Sequence, residues 1–287
     1  MKDPYLISRR VAVKSSVFGL LAVSLPNVIY SQGIMEISEE AKEQPKVFYR
    51  YPSIDDEIVA ELVGASHFNL DRVKELVDRR PELARATWDW AFGDWETALG
   101  AASHVGRRDI AEYLMSKGAR PDIFTYAMLG SYKSVKAMIE ATPGIQSIAG
   151  PHGITLLSHA KAGLRYKELT EAQKSNCTEL VTYLEKLGDA DQREKNIEMA
   201  KEEKETYLGD YMYGDGDIEG FSVKLNMRDM ISLGKLGKFG GGLYQQAPGE
   251  FTYNGISSVR ITFQKEGERV VSLTVHEPDL TLKAMRI

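Results

Sequence analysis

The sequence predicts an α+β multidomain chain, a series of stacked helical hairpins followed by a small antiparallel β domain. Three observations carry that expectation. Apolar residues recur near every 3.6 positions from Asp55 to about Leu187. After Tyr207 the period drops to two, with glycine-rich turns between the segments. Ahead of both, Ser8-Arg9-Arg10-Val11-Ala12-Val13-Lys14 leads into an apolar stretch from Val17 to Tyr30. That arrangement sets the N-terminus apart from the fold as a targeting segment.

Residues 1–31 resemble the signal of the bacterial twin-arginine export route, although Ala12 and Val13 stand where that family prefers a bulky apolar residue. The apolar stretch contains Pro26 and is shorter than the ~20 residues needed to cross a bilayer. The resemblance implies a periplasmic or secreted protein that meets the membrane only through its signal. Residues 32–54 read as a polar leader settling near Phe48 and Tyr49. The 287 residues carry a net charge of −5 and no basic block, which argues against nucleic acid as a partner. Cys177 is the only cysteine, so the chain has no internal disulfide and no cysteine-built zinc site.

Four helix pairs follow over residues 55–188. The first runs through Leu62 and Val63, then Val73 and Val77, and stops at Pro81, which cannot continue a helix. The second is Thr97-Ala98-Leu99-Gly100-Ala101-Ala102-Ser103-His104-Val105-Gly106, then Ile110 and Leu114, closing on Gly118-Ala119. The third takes Phe124 and Met128, then Val135 and Ile139. The fourth is Thr155 through Gly163 and, after an insertion over about 164–174, Leu180 and Leu184. Thr97 and Thr155 are placed to cap their helices, and Gly106, Gly130 and Gly163 to end them in left-handed backbone. Two apolar faces on each pair require neighbours to stack.

These pairs resemble the ankyrin repeat, T-P-L-H-x-A-A-x-x-G, most closely in the second and fourth. Ala98 and Leu156 replace its proline, and Gly100 and Ser158 its histidine. The resemblance implies an ankyrin-type helical solenoid of about four repeats that binds another protein and brings no chemistry of its own. Residues 189–206, dense in both charges, read as a charged linker helix. Residues 207–287 alternate through Phe221–Leu225, Phe251–Tyr253, Val259–Phe263 and Val270–Val275, with Asn254-Gly255 suited to a tight turn. This part is similar to the accessory β domain of some exported β-lactamase-like proteins, which implies no active site. Gly234–Gly242 reads as a mobile loop, and Asp215, Asp217 and Glu219 as a turn rather than a calcium site.

All three tryptophans fall in Trp88-Asp89-Trp90-Ala91-Phe92-Gly93-Asp94-Trp95, the loop that projects as a finger in ankyrin repeats. Two readings stand: aromatic anchors for a partner, or packing that closes the gap between the first two repeats. The partner-binding residues expected are Trp88, Asp89, Trp90, Phe92, Asp94 and Trp95, with Ser103 and His104 on the first-helix face and His152 in the fourth finger. No H-x-x-x-H or H-E-x-x-H spacing occurs, so neither a metal nor another cofactor is expected. No G-x-S-x-G elbow occurs, so catalysis is not expected either. The implied function is an exported ankyrin-repeat scaffold for protein–protein interaction. The alternative is an accessory or inhibitory subunit of an exported hydrolase, recognising a peptide or polysaccharide.

Overall fold

A computed structural model describes residues 48–226, 228–238 and 240–287. Residues 1–31, expected to form an export signal, and the expected leader up to residue 47 lie outside the described residues. From Phe48 onward the chain is one compact unit. Its helices come in successive pairs: α1 (Asp56–Ala65) with α2 (Leu70–Arg79), α3 (Ala98–Val105) with α4 (Arg108–Ser116), α5 (Ile123–Met128) with α6 (Tyr132–Ala141), and α7 (Leu156–Gly163) with α8 (Glu171–Leu187). Asp55, Asn69, Thr97, Asp122, Thr155 and Thr170 each accept a first-turn backbone N–H, which fixes where the helices start. Leu62, Val73, Leu99, Ile110 and Leu114 centre one apolar cluster; Phe124, Val135, Leu156, Leu180 and Leu184 centre the next. Among the described residues no helix is long and apolar enough to cross a membrane.

Between α2 and α3, β1 (Thr87–Asp89) and β2 (Trp95–Thr97) form a finger hairpin with Trp88 opposite Glu96. Beyond a short helix α9 (Lys201–Tyr207) come β3 (Gly209–Met212), β4 (Gly220–Leu225), β5 (Ile231–Lys235), β6 (Gly241–Ala247), β7 (Glu250–Tyr253), β8 (Ile256–Glu266), β9 (Arg269–His276) and β10 (Thr281–Arg286). These strands form an antiparallel meander that closes into a barrel where β10 pairs with β3, Met285 opposite Met212. An eight-stranded barrel is just wide enough to be filled by side chains, and Tyr211, Val223, Leu243, Phe251, Tyr253, Ile261 and Leu273 fill it.

This architecture corrects the expected fold class. The C-terminal part is a closed eight-stranded barrel, because β5, β6 and the last strand β10 complete the ring. Gly234–Gly242 accordingly belongs to two strand ends and the turn between them. The helical part is not an ankyrin-type solenoid either, and the ankyrin-repeat assignment is withdrawn. One strand-paired finger occurs among the described residues; the junction before α5 has no strand pair, and the one before α7 has a single antiparallel bridge, Ala149 to Thr155. The face that a solenoid would leave open is covered: Phe92 at the finger tip packs edge-on against Tyr253 of the barrel at 4.8 Å. Gly153, before α7, meets Gly255 backbone to backbone, a β-carbon on Gly255 falling 2.8 Å from Gly153 Cα. The linker is helical only in α9. Its extended part runs along β6, where the Gln245 N–H donates to Asn196 Oδ1 at 2.8 Å and the Ile197 N–H to the Gln245 carbonyl at 2.9 Å.

Candidate metal centre

Alternation along β2 turns Trp95 outward and Glu96 inward. Glu96 is fully buried, and a buried carboxylate requires partners. The Trp90 indole N–H donates to Oε2 at 2.7 Å. Three imidazoles surround the carboxylate: His104 Nε2 lies 3.0 Å and His152 Nε2 3.3 Å from Oε1, and His67 Nε2 lies 3.4 Å from Oε2. One ligand atom from each of the four residues can be chosen so that all lie within 4.8 Å of one another. Metal bonds of about 2.0–2.1 Å place neighbouring tetrahedral ligands ~3.3 Å apart, and the imidazole–carboxylate separations match that edge.

The imidazoles come from three parts of the chain. His67 follows α1, His104 closes α3, and His152 sits in the one-turn 3-10 segment Pro151–Gly153 with φ at +58°. His67 Nδ1 lies 3.2 Å from the Val63 carbonyl and 3.1 Å from that of Gly64. Carbonyls only accept, so Nδ1 donates to them and Nε2 is the nitrogen turned toward Glu96. His152 Nδ1 lies 2.7 Å from Asp94 Oδ2, the carboxylate–histidine arrangement that orients metal-ligating imidazoles. Asp94 is itself held by the His152 backbone N–H at 3.0 Å and by the Asn254 side-chain amide from the β7–β8 turn. Glu96 Oε1 and His104 Nε2 are buried without an aligned hydrogen bond among the described residues. Two orphaned polar atoms 3.0 Å apart fit donors aimed at a shared ion.

The charges are set by the same neighbours. Burial opposes ionisation of Glu96, but His104 and His152 more than offset it and hold the carboxyl well below its usual range. Burial likewise opposes a charged His152, and Asp94 with Glu96 outweighs it, raising that imidazole to about 9. His104 is pushed down by burial, with Glu96 only partly compensating. Three imidazoles with one carboxylate form a donor set for a first-row transition ion rather than for calcium or magnesium, which take oxygen ligands.

The sequence-predicted site residues divide between this centre and its supports. His104 and His152 converge on Glu96, and Asp94 stands behind His152. Trp90 holds Glu96, Trp88 packs on the helical core, and Asp89 Oδ1 accepts the Gly93 N–H. Phe92 lies on the barrel. Ser103 is buried, donating to the Leu99 carbonyl at 2.7 Å with Thr125 Oγ1 3.1 Å away. Trp95 alone of the tryptophans is largely exposed, at 61 %. His67, Glu96 and Asn254 were not expected from the sequence. Glu96 carried one signal, an acidic residue between Trp95 and the capping Thr97 on a strand beside an apolar helix.

No protein-family model matches this chain, and no curated protein matches it.

Proposed function

We propose that the protein binds a divalent first-row transition-metal ion through His67, Glu96, His104 and His152, and that this centre is its functional site. The supporting observation is the convergence of the four ligand atoms within 4.8 Å of one another, backed by acceptors that orient two of the three imidazoles. A plain buried ion pair accounts for less. Glu96 already accepts from Trp90, and an ion pair with His152 alone leaves buried Glu96 Oε1 and His104 Nε2 without an aligned hydrogen bond. The test is titration of the chelator-stripped protein with Zn²⁺, Mn²⁺, Fe²⁺ and Co²⁺, followed by calorimetry and elemental analysis. A single bound ion is expected, with affinity reduced at least ~100-fold in the His104→Ala/His152→Ala variant; absence of stoichiometric binding of all four ions rejects the reading.

A protein partner is a second reading, favoured by exposed Trp95 beside a groove of about 370 Å³ between the finger, α5 and the β7–β8 turn. Combined with the twin-arginine-type signal, it makes the chain an exported binding protein. Crosslinking in cells with Trp95→Ala against wild type tests the partner, and an unchanged crosslinked set rejects it. Fractionation of an Arg9→Lys/Arg10→Lys variant tests export: the variant is expected to stay in the cytoplasm while wild type leaves it, and identical fractionation of the two rejects the signal.

A further inference from the structure

Four protein donors are enough for a closed structural site, whereas a catalytic-type centre keeps a position for an outside ligand. Three features of the cluster bear on which applies. The Trp90 indole occupies Glu96 Oε2 at 2.7 Å, so the carboxylate offers an ion one oxygen and cannot chelate with both. Exposure is one-sided: the Glu96 side chain is 0 % accessible and His104 10 %, against 22 % for His67 and 18 % for His152. The carboxylate is therefore the floor of the site, and His67 and His152 are its rim. Their rings lie nearly parallel, at 22°, with centroids 6.4 Å apart. His104 stands edge-on to both, at 4.9 Å and 5.3 Å. The two rim rings thus mark the side of the cluster nearest solvent.

We propose that a metal ion held here keeps one exchangeable coordination position on the solvent side, toward His67 and His152, occupied by water and open to a small anionic nitrogen or oxygen donor. This rests on the metal-binding reading above. Charge supports the resting ligand: three neutral imidazoles and Glu96 leave a divalent ion one net positive charge, which Asp94, hydrogen-bonded behind His152, balances. A neutral water then completes the sphere without added charge, and an anion displaces it only at excess.

The Co²⁺-loaded protein tests both levels separately, with azide as the probe. A five-coordinate Co²⁺ spectrum of weak visible bands is expected, with a saturable shift as azide is added. Co²⁺ binding with intense tetrahedral bands that azide leaves unchanged overturns the open position while sparing metal binding. Failure to take up Co²⁺, together with Zn²⁺, Mn²⁺ and Fe²⁺, overturns both. Asp94→Asn supplies an independent reading: removing the balancing charge is expected to lower the azide concentration at half-saturation, and an unchanged midpoint in metal-loaded variant overturns the charge argument with the proposal.

Discussion

Asp94 joins three remote parts of the chain, accepting from His152 twice and from Asn254 on the barrel while sitting in the loop at the finger's tip. Its place behind His152 makes it an orienting residue for the candidate ion. Asp94→Asn keeps the shape and removes the charge, and metal affinity by calorimetry is expected to fall ~10–100-fold with unchanged far-UV circular dichroism. His159 illustrates the opposite case, a core histidine without a charge partner. It is fully buried, donates from Nδ1 to the Thr155 carbonyl at 2.9 Å, and has no partner for Nε2 among the described residues. Burial pushes its imidazole down to about 4. An unfolded histidine titrates near 6.5, so below that pH the unfolded chain takes a proton that the folded one refuses. Stability is therefore lost as pH falls from about 6.5 to 4, by up to about 3 kcal/mol from this residue. Urea unfolding of wild type and His159→Gln at pH 7 and 4.5 checks it: the stability difference between them is expected to shift in favour of the variant at the lower pH. A constant difference removes His159 from the acid response.

At the scale of elements, the spacing between helices is set by where no side chain fits. Gly163 lies within helical α7, not in left-handed backbone, and a β-carbon there would collide with the Met128 carbonyl at the end of α5. Gly163→Ala must push the two helices apart, an overpacking cost of ~1–3 kcal/mol; thermal unfolding is expected to drop by several degrees, and an unchanged midpoint would show that the contact relaxes freely. Gly106 is glycine for both reasons: φ is +80° at the α3 C-cap, and a β-carbon there would collide with the Ala162 carbonyl. The finger depends on its tip. Phe92 buries its ring against Tyr253 and sits at φ +57°, and Phe92→Ala is expected to destabilise by roughly 2 kcal/mol and to weaken metal binding by loosening Glu96. A stability loss with full metal affinity would separate finger docking from the centre.

For the molecule as a whole, the candidate ligands come from α1, the finger, α3 and the turn before α7, while the barrel secures the Asp94 support through Asn254. An ion bound there favours only the assembled state. At a hundredfold excess over its dissociation constant it adds about 2.7 kcal/mol, roughly 5–10 °C for a chain of this size. Scanning calorimetry with metal and with chelator is expected to show that shift, lost in His104→Ala.

Much of the local structure was legible. The helix starts at Thr97 and Thr155 and the Asn254-Gly255 turn follow from short-range chemistry, capping oxygens and tolerance of positive φ. The clustering of tryptophans also marked the finger as unusual. Barrel closure was not legible, because β5 and β6 carry glycines that blur a period of two and because β10 pairs with a strand from the far end of the domain. The metal-ligand set escaped for a similar reason: His67, Glu96, His104 and His152 are scattered over most of the helical part, and no spacing rule connects them. Sequence by itself determined the elements, since capping, periodicity and turns act between near neighbours. Only the tertiary structure decided that the finger faces inward and that four distant side chains share a point, since burial of Glu96 and the closeness of the imidazoles arise when the helices and barrel pack together.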